Sequence, residues 1–235
     1  MRLHVLGCHG PYPNAGGATS GYLVESGETR LLMDCGSGVM GRLMAKCDPA
    51  SLSVVLLSHL HFDHALDLLV LRYYLEIAGK ELPLYLPGED QSKLRSILEE
   101  SAYRVTPYPE ELRIGDLTIT TLPVRHPVPC RALKITDGKR TLVFTGDTNT
   151  CPGLGEFARG ADVLLADAAF LESEWTEKKP HLSALKAAEL AKEAGVKKLY
   201  LTHLPVRHEA ATLEKEARTV FEDACAVKPG LVISL

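Results

Sequence analysis

The chain contains no C-x-x-C pair, no long basic block, no low-complexity segment and no apolar run long enough to span a bilayer. Each absence closes a class of function. The longest apolar runs, such as "LSVVLL" and "DVLLA", have strand length, far short of the roughly 20 residues of a membrane helix. The formal charge is −4 with Lys and Arg dispersed, which gives no broad electrostatic footprint for extended nucleic acid. The six cysteines (Cys8, Cys35, Cys47, Cys130, Cys151, Cys225) are scattered, so reduced thiols are expected in place of a disulfide framework. No Pro/Gly linker divides the 235 residues, and one domain over residues 1–235 with ample core is expected. "MRLHVLG" leads directly into a strand pattern with no signal peptide ahead of it, so the expected compartment is the cytoplasm.

What is present is a repeated order of strands and helices. "LHVLG", "SGYLVES" and "TRLLMDC" read as strands, with a tight hairpin at "SGE" between the last two. A helix is predicted from Gly38 to Lys46, then the strand "SVVLLS", a helix from about Ala65 to Ala78, the strand "PLYLP" and a helix in "EDQSKLRSILEES". A second run of strands begins near Leu112: "LRI", "LTITTLPV", "RALKITD" and "RTLVFTG". A short helix near Gly155 to Arg159, the strand "DVLLA", the helix "SALKAAELAKEAG", the strand "KLYLT", the helix "ATLEKEARTVFEDA" and the strand "LVIS" complete the chain. Gly195 stands where a left-handed helix cap belongs. Two successive series of strands followed by helices imply two packed sheets covered outside by helices.

Against this background "HLHFDH", residues 59–64, concentrates three histidines and an aspartate beside an apolar run. Alternation along extended backbone turns His59 and His61 to one side and Leu60 and Phe62 to the other. Asp63 and His64 fall where a helix begins, and the bend aims them at a second point. The stretch therefore offers two pairs of ligands to two neighbouring metals. Neutral imidazoles and carboxylates suit zinc, with manganese or iron as substitutes. Three further candidates follow apolar strand runs: His126 in "VRHP", Asp147 in "FTGDT" and His203 in "YLTHL".

The pattern H-x-H-x-D-H, followed by a lone His, Asp and His at strand ends, resembles the metallo-β-lactamase-fold hydrolases over essentially the whole chain. The resemblance implies an α/β fold of four layers, αββα. It also implies two zinc ions, one held by His59, His61 and His126, the other by Asp63, His64 and His203, with Asp147 bridging both. Asp34 in "LLMDCGSG" is similar to the family's aspartate that supports the metal site from behind a ligand. One carboxylate can bridge two cations about 3.5–4 Å apart, and water between them becomes hydroxide near neutral pH. Flavodiiron proteins of this fold have a glutamate where His61 stands, and many β-lactamases have a cysteine where Asp147 stands. The first difference argues for hydrolysis over electron transfer, the second against hydrolysis of an antibiotic.

"ADVLLADAAF" and "KPHLSALKAAELAKEAGVKKLYLTHL" narrow the resemblance to the ribonuclease Z branch. There an acidic residue and a histidine opening the following helix form a proton-transfer pair; the matching positions are Asp167 and His181, the latter 22 residues before His203. His181, Asp167 and the ligand Asp63 are thus the expected catalytic residues. Two departures stand out: the family's glutamate is an aspartate here, and the short connection between Asp147 and Asp167 leaves no room for the arm that grips tRNA. The expected reaction is hydrolysis of a small phosphodiester, such as a nucleotide, with His181 protonating the departing alkoxide.

The rivals are hydrolysis of a lactone, thioester or sulfate ester on the same site, tRNA 3′-processing, and a metal-stabilised binding scaffold without turnover. A homodimer is compatible with the sequence. Thr19, Ser20 and Ser37 lie in Gly-rich turns that could donate to phosphate oxygens, and His9 and Tyr12 in a loop that could line the mouth. His4 and His208 read as structural and solvated residues. Lys178 and Lys179, beside His181, read as a solvated charge run able to steer an anion.

Overall fold

The computed structural model describes residues 1–235. The first sheet contains β1 (Arg2–Gly7), β2 (Gly21–Ser26), β3 (Thr29–Cys35), β4 (Val54–Leu56), β5 (Leu82–Leu86) and β6 (Tyr103–Pro107). The second contains β7 (Glu111–Ile114), β8 (Leu117–Pro123), β9 (Arg131–Thr136), β10 (Thr141–Phe144), β11 (Val163–Asp167), β12 (Lys198–Thr202) and β13 (Ala224–Ala226). The last strand, β14 (Val232–Ser234), returns to the first sheet, whose order is β14-β1-β2-β3-β4-β5-β6. The second runs β13-β12-β11-β10-β9-β8-β7. Both sheets change mode midway. Pairing is antiparallel from β14 to β3 and from β7 to β10, and parallel from β3 to β6 and from β10 to β13.

Period-2 alternation sorts the strand residues into two cores. Leu31 and Met33 of β3, with Val54 and Leu56 of β4, belong to the core shared by the two sheets. Leu32, Val55 and Leu57 point the other way, into a second core. That second core is closed by α1 (Val39–Met44), α3 (Leu68–Ile77) and α4 (Lys93–Glu99) through Leu43, Leu71 and Leu98. The second sheet is covered by α5 (Leu154–Ala158), α6 (Ala184–Ala194) and α7 (Ala210–Arg218) through Ala158, Ala188 and Leu213. The result is the four-layer αββα sandwich anticipated from the sequence. Gly195 caps α6 at φ 63°, as its position predicts.

Two details differ from the sequence expectation. The helix predicted over 65–78 is split into α2 (Phe62–Ala65) and α3. Asp67 sits at the break because it is tied elsewhere: its Oδ2 accepts from Met40 N at 2.8 Å and its own N–H donates to Cys35 O at 3.0 Å. The strands β6 and β13 were not anticipated. β6 pairs on one side only, has one buried residue in five and ends at Pro107, a pattern that edge strands tolerate and that periodicity does not single out. β13 is the three-residue "ACA", whose first residue falls within the expected last helix; α7 ends earlier, at Arg218.

The mixed pairing decides where chemistry collects. The parallel strands of both sheets end at one edge, where open α/β sheets place their ligands. Asp34 lies at the end of β3, His59 and His61 beyond β4, Asp147 beyond β10, Asp167 at the end of β11 and His203 directly after β12.

Candidate metal centre

The structure brings all seven sequence-predicted ligand candidates together in two overlapping groups: His59, His61, His126 and Asp147, and Asp63, His64, Asp147 and His203. Asp147 belongs to both. In the first group, His61 Nδ1 is 3.0 Å from His59 Nε2 and 3.1 Å from His126 Nε2. Tetrahedral zinc with nitrogens at about 2.05 Å would space them about 3.3 Å apart, so the imidazoles stand at the right separation. The backbone at His61 is extended (φ −65°, ψ 150°), and His59 and His61 turn to one side, into the same group. Leu60 is buried, as alternation requires, whereas Phe62 opens α2 and is 67% exposed.

In the second group, His203 Nε2 is 3.2 Å from both Asp63 Oδ2 and Asp147 Oδ2. His64 Nε2 is 3.2 Å from Asp147 Oδ2 and 3.5 Å from Asp63 Oδ2. Nevertheless it is buried without a hydrogen-bond partner. A buried nitrogen aimed between two carboxylates, with no hydrogen bond of its own, is a position for a cation. The residues present fit divalent metal.

Behind these two groups lies a second set of contacts. The Asp34 carboxylate is fully buried and accepts from Ser20 Oγ (2.8 Å), Ser58 N (2.8 Å) and Ser58 Oγ (3.0 Å). It also accepts a hydrogen bond from His64 Nδ1 at 2.7 Å, leaving His64 Nε2 to face the centre. Ser58, which the sequence reading passed over, also reaches His59 Nδ1 at 3.0 Å. Its only signal was its place directly before "HLHFDH". Ser20, weighed as a phosphate donor, is spent on Asp34.

Asp34 and His203 are the only non-glycine residues with positive φ, 54° and 53°. Such backbone costs on the order of 1–3 kcal/mol and persists where surroundings over-determine it. At His203 the surroundings are visible. A Cβ on Gly10 would run into the His203 ring, so the loop backbone rests directly on the imidazole.

The electrostatics divide the cluster. Burial pushes His59 well below the usual imidazole range, lowers His61, and brings His126 down to about 4. Burial also opposes protonation of His64, but Asp147 and Asp34 outweigh it and lift that ring well above its ordinary value. Burial would raise the carboxyls of both Asp147 and Asp63. The surrounding histidines prevail, His203 first, and hold Asp147 and Asp63 well below the carboxylate range.

His181 and Asp167 adjoin the second group. His181 Nδ1 is 2.8 Å from Asp167 Oδ2, and its ring stacks on His203 with centroids 4.6 Å apart. Burial lowers its pKa, yet Asp167 and then Asp147 reverse the sign and raise it to about 9. The hydrogen bond from Trp175 Nε1 to His181 O, at 3.1 Å, fixes the backbone there.

The remaining candidates separate cleanly. His4 bonds Glu25 at 2.7 Å, a structural contact. His208 is not simply solvated, since its Nε2 pairs with Glu174 at 3.0 Å. His9 bridges Thr19 and Leu204 through its backbone, next to His203, while Tyr12 is exposed. Thr19 Oγ1 is buried without a partner.

Residues 29–204 match the family model described as "Beta-lactamase superfamily domain". The chain is 38% identical over 229 residues to the "Probable metallo-hydrolase YhfI" of Bacillus subtilis, covering 94% of each protein. The crystal structure of YhfI superposes with a TM-score of 0.94 at 35% identity, covering 99% of this chain and 98% of that one. A ribonuclease Z of Methanopyrus kandleri is 30% identical over 269 aligned positions, covering 98% of this chain and 96% of the relative. That alignment is longer than the 235 residues here, so the ribonuclease carries segments that this chain lacks. With a matching family model, full-length relatives and the same sandwich, the chain belongs to the beta-lactamase superfamily, on its ribonuclease Z-like side.

Proposed function

We propose that this metal-dependent hydrolase cleaves small phosphodiesters with two divalent cations, zinc in the first instance. His59, His61 and His126 would hold one, Asp63, His64 and His203 the other, and Asp147 would serve both. Bound there, the cations would activate water and neutralise charge on the phosphoryl oxygens. The observation that carries the reading is the His181–Asp167 pair beside two ligand groups that share one carboxylate. A scaffold needs no proton donor next to its metals.

The chain's own residues then have distinct tasks. Asp167 fixes His181 through Nδ1, so Nε2 is the atom that passes a proton to a departing alkoxide. Stacking on His203 and the Trp175 bond hold the ring at that place. Asp34 and Ser58 orient His64 and His59. Between Asp147 and Asp167 only the five-residue α5 intervenes, so nothing there extends outward to grip a long RNA. That supports a small substrate over tRNA.

A panel of bis(p-nitrophenyl) phosphate, a thioester and a lactone tests the reaction on zinc-loaded protein. Turnover of the diester is expected; turnover of only the acyl substrates overturns the reading. We extend the proposal to one domain over residues 1–235 and to the cytoplasm, which suits six free thiols. No helix is long and apolar enough to cross a membrane. A homodimer is part of the same reading. Phe62, Leu66, Val70, Tyr73 and Ile77 recur at three- and four-residue spacing along α2 and α3 and remain exposed, a stripe suited to self-complementary burial. Light scattering of V70E/I77E against the parent tests it, with a shift to monomer expected.

A further inference from the structure

A groove of about 280 Å³ opens beside His126, lined by Arg125, His126, Pro127, Lys178, Lys179 and Pro180. No carboxylate lines it. Arg125 is also unusual within the chain. Eleven of the arginines form ion pairs with aspartate or glutamate; Arg125 and Arg42 do not. In a chain of net charge −4, three cations around one acid-free groove are a local inversion of sign.

The wall of the groove is also built. Asn149 is fully buried, and its Nδ2 donates to Thr176 O (3.1 Å) and Lys179 O (2.6 Å). Arg125 Nη2 donates to Glu177 O at 2.7 Å, and His126 Nδ1 donates to Pro180 O at 3.2 Å. Four hydrogen bonds thus strap residues 176–180 onto residues 125–126 and Asn149. The Lys179 ammonium rests over the Phe170 ring, 4.9 Å from its centroid. The same His126 whose Nδ1 fixes the strap turns Nε2 toward His61, so the groove and the candidate metal centre share a wall.

We propose that this groove is an anion subsite for a second phosphate group of the substrate, which makes the preferred substrate a phosphodiester bearing a further phosphate. The inference rests on the phosphodiesterase reading above. Arg125 spends one guanidinium donor on Glu177 O and keeps the others for a phosphate fork, while two ammonium groups add charge. A dianionic phosphate uses three cations better than a carboxylate does.

The test compares two p-nitrophenyl esters of thymidine 5′-phosphate on zinc-loaded protein, one with a free 3′ hydroxyl and one with a 3′-phosphate. Both release the same leaving group, so their kcat/KM ratio isolates the second phosphate. The 3′-phosphorylated ester is expected to be favoured about tenfold at low salt, and less as salt is raised. In K178E/K179E the ratio should fall to about 1 or below, and any general loss of activity cancels in it. A parent ratio near 1, or a ratio that survives the double substitution, overturns the subsite. Should neither ester turn over, the phosphodiesterase reading falls, and the subsite is decided by binding. Thymidine 3′,5′-bisphosphate must then bind the parent about tenfold tighter than thymidine 5′-phosphate does, with that preference lost in K178E/K179E. Equal affinities overturn it.

Discussion

The group around His59, His61 and His126 is rich in imidazole, and burial drives its rings toward the neutral form. The group around Asp63, His64 and His203 has two carboxylates, and its His64 is driven the opposite way. Asp147 is common to both. The first group is therefore set to accept a cation without first losing a proton. The second holds a proton on His64 that a cation must displace. Two sites a few ångströms apart on one edge acquire different chemistry from what stands behind them: Ser58 behind His59, and the Asp34 carboxylate behind His64.

The substitution that should erase the contrast altogether is Asp147→Ala. Because its carboxylate faces both groups, metal analysis should show loss of both cations, with turnover down on the order of 10⁴-fold or more. Near-normal occupancy would remove the shared ligand from the proposal. His181→Ala should instead leave both groups loaded while turnover falls ~10²–10⁴-fold for substrates with alkoxide leaving groups. Esters of p-nitrophenol, which need little protonation on departure, should lose much less. Equal losses on both would take the proton donor out of the mechanism, and metal loss would make His181 part of the second group.

Asp34→Ala separates the groups. Asp34 touches His64 directly but reaches His59 only through Ser58. Affinity at the second group should fall by roughly 10–100-fold, the usual consequence of losing a ligand's orienting partner, with a smaller loss at the first. Stepwise zinc titration reads both. An unchanged second step would reduce Asp34 to a strand-end turn residue.

Much of this was legible in the sequence because the ligands follow apolar strand runs, and strand ends are where periodicity stops. His59, His61, His126, Asp147 and His203 could each be placed at such an end, and the mixed topology then gathers them. Asp34 was legible by its motif. Ser58 and Asn149 were not, since a serine or asparagine in a turn has an ordinary explanation until its long-range partners are known. Lys178 and Lys179 were legible as a charge run able to steer an anion, but Arg125 was hidden for a related reason. It stands more than 50 residues before the two lysines, and only the strap of hydrogen bonds makes the three one patch. The edge strand β6 escaped because a single buried residue in five gives it no clean alternation.

The effect that is smallest per step, about tenfold for one pH unit, is the one that most directly probes the difference between the groups, and it needs no mutation. His126 is brought down to about 4 by burial, so protons do not compete for the first group until the pH approaches that value. His64 is lifted well above the ordinary imidazole value of 6.5 by Asp147 and Asp34, against the effect of burial. Cation binding at the second group must therefore release the His64 proton. By mass action its affinity should fall as the pH drops from 8 to 5, approaching tenfold per pH unit where His64 is fully protonated, while the first group's affinity stays nearly flat. Equilibrium dialysis against buffered zinc across that range, followed by metal analysis, should show occupancy passing from two cations to one. Adding the second equivalent at pH 7 in weak buffer should acidify the solution. Loss of the histidine-rich group first, or no proton release on the second equivalent, would invert the assignment of which group is preset and which must exchange a proton for its metal.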